Sequence, residues 1–346
     1  MNPIDARRRP LVVGAYYLHD RTAHALLHGE DPHPLLDEIF DVARRAGAFA
    51  VRALACHVGH DEAAIQSAPD RMNALGLEAL DVVVRRAHRA QVQLILSLGN
   101  AWDDYGGARA IAAMVGHADA KQSDLRFFVS PRARAAFRFG MRAVLERPID
   151  GWTLATHPAI AAWEPMNEPR TRGLDRGGVA MRWWLDSVTR ELRALSPGKP
   201  ISSGEEGLDR TLVHRSRWFW RLARASHLFR RCQSFAANAT LPSVDHPSVH
   251  LYPQAWGVPA RLVGEAGERF IRESAALCRG KPLLVGEMGA HGPNALEHLA
   301  RWTHVTWSVG GIAGIWMLAS PRAPRHRDPY ALDPEDFVGW ARRTRP

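Results

Sequence analysis

Two glutamates in dissimilar surroundings stand out in this chain of 346 residues, Glu168 in AAWEPMNEPR and Glu287 in KPLLVGEMGAHG. Each lies at the far end of a short apolar run with the character of a buried strand. A carboxylate at the mouth of a strand is poorly placed for packing and well placed for chemistry. Two such groups, brought together by a fold, are the minimum equipment for breaking a glycosidic bond, one as nucleophile and one as proton donor. The nucleophile must stay ionised, which calls for cationic or hydrogen-bonding neighbours such as Arg52 and Tyr252. The acid needs a raised pKa, which a partly desolvated site supplies.

The elements that must position these groups are legible as an alternation. Strand-like runs cover residues 11–17, 49–54, 92–98, 159–164, 200–204, 248–252, 283–287 and 312–318. Near-continuous apolar stretches such as VQLILSL and PLLVGE are what a sheet buried on both faces requires. Between them lie amphipathic segments of helical length at 35–46, 72–89, 131–146, 181–195, 259–278 and 294–309. Eight strands alternating with helices predict an α/β fold, a (β/α)8 TIM barrel in one domain over residues 11–320, followed by a C-terminal helix over 334–343. No GxGxxG follows the first strand, which removes the main motif of a dinucleotide-binding sheet. The stretch 218–244 reads as a long loop with some helix.

In such a barrel the strand ends and the loops after them form the reactive face. Those positions carry Arg52, Asn100, Trp102, Asp103 and Asp104, then Asn167, Glu168 and Arg170, then Glu205, Glu206, His250, Tyr252, Glu287 and Trp316. Aromatic platforms for apolar sugar faces, polar partners for hydroxyls and a carboxyl pair are what sugar chemistry needs. His250 and Tyr252, two apart on a strand, point to one face.

Composition narrows the classes. The net charge of +9 comes mostly from arginines scattered over helical segments, with no compact basic block and no nucleic-acid motif. No apolar run reaches the roughly 18 residues that span a membrane. The N-terminus is a poor secretory signal, so the expected location is the cytoplasm unless a leader has been removed. Cys56, Cys232 and Cys278 are too few and too far apart for a disulfide framework or a metal site and read as reduced structural thiols.

Taken in order, the segments NAWDDYGG, PAIAAWEPMNEPR, SSGEEG, VHLYPQAWG, KPLLVGEMG and GIWML resemble the successive strand ends of glycoside hydrolase family 5, clan A, and within it the β-1,4-mannanase group. The resemblance runs from about residue 11 to residue 320. It implies a retaining double displacement with Glu168 as acid/base and Glu287 as nucleophile, and no cofactor or metal. It further implies that Asn167 binds the 2-hydroxyl, that His250 and Tyr252 position the glutamates, that Arg52 holds the nucleophile ionised and that Trp316 floors the sugar. Arg170, Glu205 and Trp102 would touch neighbouring sugars or the walls between them. The implied partner is β-mannan or manno-oligosaccharide, with no nucleic acid and no membrane. Ala101 stands where the group usually has a second asparagine, Leu208 where an aromatic is usual, and Pro165-Met166 and His246-Pro247 are further departures, all bearing on the outer subsites. Another family 5 β-glycosidase, or a barrel that only binds carbohydrate, remains open at this point.

Several residues have plainer readings. Glu164 and Glu206 read as structural carboxylates, and Glu205 is balanced between substrate contact and network support. Asp103 and Asp104 read as loop caps, while His19, His57 and His60 read as solvated loop histidines. Trp183, Trp184, Trp218 and Trp220 read as helix packing, leaving Trp102 and Trp256 as the better sugar platforms.

Overall fold

A computed structural model describes residue 4 and residues 9–117, 123–171, 175, 177–209, 234–323 and 328–345. Its centre is a parallel sheet of β1 (Leu11–Gly14), β2 (Ala50–Leu54), β3 (Gln93–Ser97), β4 (Ile160–Glu164), β6 (Ser248–Leu251), β7 (Leu284–Met288) and β8 (Ile312–Ile315). The seam between β4 and β6 is closed by residues 201–202, here β5. They bridge in parallel to Trp163 on one side and to His246 on the other. The predicted (β/α)8 barrel is therefore present, with its fifth strand shortened from the expected five residues to two bridging ones. Neighbouring groups take over some of the missing ladder, for the Ile201 N–H donates to the Asp245 carboxylate at 2.8 Å.

The remaining strands are buried along their whole lengths except at Gln93, as a sheet covered by helices on its outer face must be. The helix Ala74–Arg89 shows how the sequence builds that cover. Asn73 caps it by accepting from the Leu75 N–H at 3.1 Å, and Leu80, Val83, Val84 and Ala87 turn inward. Cutting a buried leucine such as Leu96 to alanine would cost roughly 2–5 kcal/mol. Helices not anticipated from periodicity include Leu18–Leu27 and Gly107–Met114, the next elements after β1 and β3, and Ser123–Val129. The first begins at Leu18 and so ends the strand three residues before the expected Tyr17. The last helix, Pro334–Thr344, lies where expected, with Asp333 as its N-cap.

The barrel interior is layered. Near the strand starts, Val12, Ala50, Ile95, Ala162, Leu284 and Ile312 form an apolar plug with Ile4, whose N–H donates to His246 Nε2 at 3.1 Å. Toward the strand ends the interior becomes polar, with Arg52, Ser97 and Glu164 all buried. Cys56 and Cys278 are buried free thiols; Cys232 lies outside the described residues, as do Trp218 and Trp220. Among the described residues no helix is long and apolar enough to cross a membrane.

Candidate active site

The polar layer is organised by one guanidinium. Arg52, on β2, donates from Nε to Glu164 at 2.9 Å, from Nη1 to Glu287 at 2.7 Å and from Nη2 to Asn167 Oδ1 at 2.8 Å. Glu164 also accepts from Ser97 and, at 3.1 Å, from Ser202. It is the structural carboxylate expected from sequence. Burial alone would raise its pKa, but Arg52, the Ser97 hydroxyl and the His250 charge bring it below the ordinary value.

Glu287 sits at a register shift between β7 and β6, where Val285 pairs with Val249 and Glu287 with His250. Such an irregularity re-aims a side chain at a strand end. Tyr252 donates to Glu287 Oε2 at 2.5 Å, so both carboxylate oxygens are held, one by a cation and one by a phenol. His250 and Tyr252 face the same way, as their spacing predicts: His250 Nδ1 lies 2.7 Å from Glu168 Oε1 and 3.4 Å from Glu287 Oε1.

Glu168 follows β4 on an extension of the ladder, the parallel bridge of Asn100 with Asn167. Its backbone has φ 49°, and its N–H donates to Gly204 O at 2.7 Å. Oε2 accepts from Trp102 Nε1 at 2.5 Å and from Arg170 Nη1 at 3.2 Å. The Trp102 ring covers Arg170, whose guanidinium carbon is 3.6 Å from the ring centroid. Gly107, with φ +54°, makes this loop possible, since a Cβ there would stand 1.9 Å from Trp102 O.

Burial works against every charge here, and the neighbours decide the outcome. At Glu168 the desolvation is outweighed by the hydrogen bond and charge of His250, the charge of Arg170 and the Trp102 N–H, bringing the carboxyl down to about 2. At Glu287 burial, reinforced by the Glu168 charge, wins over His250, Arg52 and Tyr252 and the pKa rises. Burial lowers His250 less than the two carboxylates raise it. The two shifts, which favour the charged form of Glu168 and the neutral form of Glu287, run opposite to the roles the resemblance implies.

One oxygen each of Glu168 and Glu287 and a nitrogen of His250 lie within 4.8 Å of one another, close enough to hold a metal ion. The positive charge there is already supplied by Arg52 on Glu287 and Arg170 on Glu168.

Trp316 projects from the end of β8, stacks on Tyr16 at 5.1 Å and 20°, and donates to Asp328 at 2.9 Å. Gly14 makes room for it, because a Cβ there would fall 2.5 Å from the indole. Tyr16 escaped the sequence reading, although its place two residues beyond β1 would have marked it. Tyr105 and His57 extend this aromatic group, with Tyr16–Tyr105 at 5.8 Å and His57–Tyr105 at 5.5 Å.

Other expectations need correction. Glu205 points away from the glutamate pair, buried and accepting from Asn238 at 2.7 Å, while its neighbour Glu206 meets Arg170 at 3.1 Å. Both lie beyond β5, between Gly204 and Gly207 with φ +70° and +77°, so strand alternation does not decide which of the two meets Arg170. Trp256 is no platform. Its N–H returns to Tyr252 O at 3.1 Å and its ring packs edge-on against Phe270. Trp183 is 53% exposed, with Arg134 over its ring, whereas Trp184 is buried as expected. His19 and His57 are buried rather than solvated, while His60 is exposed.

Known proteins bear on this geometry in two ways. In sequence, the chain is 30% identical over 274 residues to the probable mannan endo-1,4-beta-mannosidase A-1 of Aspergillus terreus, covering 76% of this chain and 64% of that protein. It is 32% identical over 241 residues to the probable mannan endo-1,4-beta-mannosidase F of Emericella nidulans, covering 69% of this chain and 50% of the relative. The chain therefore spans between half and two thirds of these relatives. In structure, it superposes on the hyperthermostable endo-1,4-beta-D-mannanase of Thermotoga petrophila RKU-1 with a TM-score of 0.83 at 21% identity, covering 96% of this chain and 99% of that one, a likeness of fold. The family described as GH family 5 beta-mannosidase-like matches residues 8–289, and the chain belongs to that family.

Proposed function

We propose that the chain is a retaining β-mannoside hydrolase acting on β-1,4-linked mannan or manno-oligosaccharides, with Glu287 as nucleophile and Glu168 as acid/base. The observation that carries this reading is the closeness of the pair: an oxygen of each carboxyl lies within 4.8 Å of the other. A double displacement uses carboxyl groups about 5–5.5 Å apart, whereas an inverting pair stands about 6.5–9.5 Å apart to admit water. Family membership and the mannosidase names of the relatives favour mannose as the sugar.

In the first step a Glu287 oxygen attacks the anomeric carbon while protonated Glu168 gives its proton to the departing glycosidic oxygen, leaving a glycosyl ester on Glu287. In the second, Glu168, now ionised, takes a proton from water as that water displaces Glu287, which restores both groups. Arg52 and Tyr252 carry the returning negative charge on Glu287. Trp316 on Tyr16 offers an apolar ring face, and Asn167, fixed by Arg52 and Asn100, offers an amide beside Glu168.

The decisive experiment follows products from mannohexaose and cellohexaose in parallel by proton NMR. Faster cleavage of the mannan oligomer with the β-anomer appearing first is expected. Preference for the glucan would overturn the sugar assignment, a first-formed α-anomer would overturn retention, and binding without turnover would leave a carbohydrate-binding barrel.

A further inference from the structure

The proposed acid is held in a state in which it cannot act. Glu168 has three side-chain donors on its two oxygens: His250 on Oε1 at 2.7 Å, and Trp102 at 2.5 Å with Arg170 at 3.2 Å on Oε2. All three favour the carboxylate. A proton on Oε2 would be set against two N–H groups, so at least one donor must leave before that oxygen can present an O–H to a leaving group.

The donors differ in their freedom to leave. His250 and Arg170 are each 1% exposed, enclosed within the barrel mouth. Trp102 is 40% exposed. Its loop is fixed through the backbone rather than the ring: the Trp102 N–H donates to Asn100 Oδ1 at 3.3 Å, Asn100 Nδ2 donates to Asp104 O at 3.0 Å, and Arg109 ties Asp103 at 2.9 Å. The indole can therefore turn out without unfolding the loop. Where it now lies, it covers Arg170, a buried cation whose Nε and Nη2 have no partner among the described residues.

We propose that Trp102 is a gate on the general acid, a positioning residue whose indole keeps Glu168 charged while the leaving-group side is empty and yields its place over Arg170 to the incoming sugar. Released from the indole, Glu168 takes one proton from solvent, and only a filled site carries an armed acid. The inference rests on Glu168 being the acid. The other charged groups facing Glu168 are His250, Arg170, Glu206 through Arg170, and Glu287 with Arg52 behind it. Burial keeps them in place, so a change confined to Trp102 isolates the indole N–H.

The test is Trp102→Phe, which keeps a ring over Arg170 and removes the donor from an exposed loop position. For kcat/KM on mannotetraose, the alkaline limb reports the acid of the free enzyme. Loss of a charge-assisted hydrogen bond to the carboxylate raises that pKa, so the limb should move upward by about one pH unit. A limb that stays put while kcat/KM falls evenly at all pH values would make Trp102 a mere platform and overturn the gate. A second readout needs no turnover: the 13C shift of the Glu168 carboxyl, assigned by its absence in Glu168→Gln, should titrate at higher pH in Trp102→Phe than in the parent. Equal titration overturns the proposal, and failure to cleave any β-glycoside would refute the functional reading while leaving this result intact. Displacement is read from the Trp102 indole 15N–H resonance in Glu287→Ala on adding mannotriose. The signal should move as the carboxylate bond is lost, and an unmoved signal at saturating sugar overturns the gate.

Discussion

The surroundings of Glu287 and Glu168 differ in kind. Glu287 is gripped by Arg52 and Tyr252, each anchored on or beside a barrel strand, and Arg52 has every guanidinium nitrogen engaged. Glu168 shares buried donors too, but one of its three, Trp102, stands on an open loop. The contrast fits the two proposed duties. A nucleophile needs one charge state and one position throughout, whereas an acid/base must change its protonation twice in each turnover.

The largest effects should separate the duties themselves. Glu287→Ala is expected to lose at least about 10⁴-fold in kcat on every substrate, and azide should then yield the α-mannosyl azide. Glu168→Ala should lose about 10²–10⁴-fold on mannotetraose and little in its first step on an activated aryl mannoside, with azide giving the β-product. Equal losses of Glu168→Ala on both substrates would erase the distinction.

A smaller effect tests the two arginines. Arg52→Met leaves Glu164 and Glu287 buried without their cation and should destabilise the fold by about 3–5 kcal/mol in urea unfolding. Arg170→Met removes a group whose Nε and Nη2 have no partner among the described residues, and should cost clearly less. Comparable losses would show that both sides are equally built into the fold.

Smaller still is the consequence of Glu205, away from the pair. Burial foremost, with Asp209 adding to it, pushes this carboxyl up to about 8 against the Asn238 and Ser203 hydrogen bonds. The unfolded chain releases the same proton near pH ~4.3. Stability is full below that value, falls as pH rises toward 8 because the unfolded state ionises first, and levels off above. Glu205→Gln lacks this loss, so its thermal midpoint relative to the parent should climb by a few degrees across the window. A constant difference would mean that Glu205 is already ionised in the fold.

Much of this was legible in the sequence because it rests on period and position. Strand ends could be read from apolar runs, and the two-residue spacing of His250 and Tyr252 forced a shared face. The failures have physical causes as well. β5 reduces to two bridging residues because the ladder there is taken over by side chains such as Asp245, which no propensity reveals. Glu205 and Glu206 follow the two bridging residues in a turn with left-handed glycines at 204 and 207, where no period tells which one faces Arg170. Trp256 looked like a platform because it follows a strand, but the turn after Tyr252 folds it back onto Phe270. His57 is buried by contacts from Tyr105 on another loop, a neighbour that local sequence cannot supply.

The left-handed backbone of Glu168 carries a consequence for how the molecule answers substitution there. A side-chain-bearing residue at φ 49° is disfavoured by roughly 1–2 kcal/mol relative to glycine, and this one also buries a carboxylate. Glu168→Gly should therefore melt above Glu168→Ala, while both should melt below the parent because His250, Arg170 and Trp102 lose their shared acceptor. The backbone cost at this residue is offset only while its carboxylate is there to be shared by three donors.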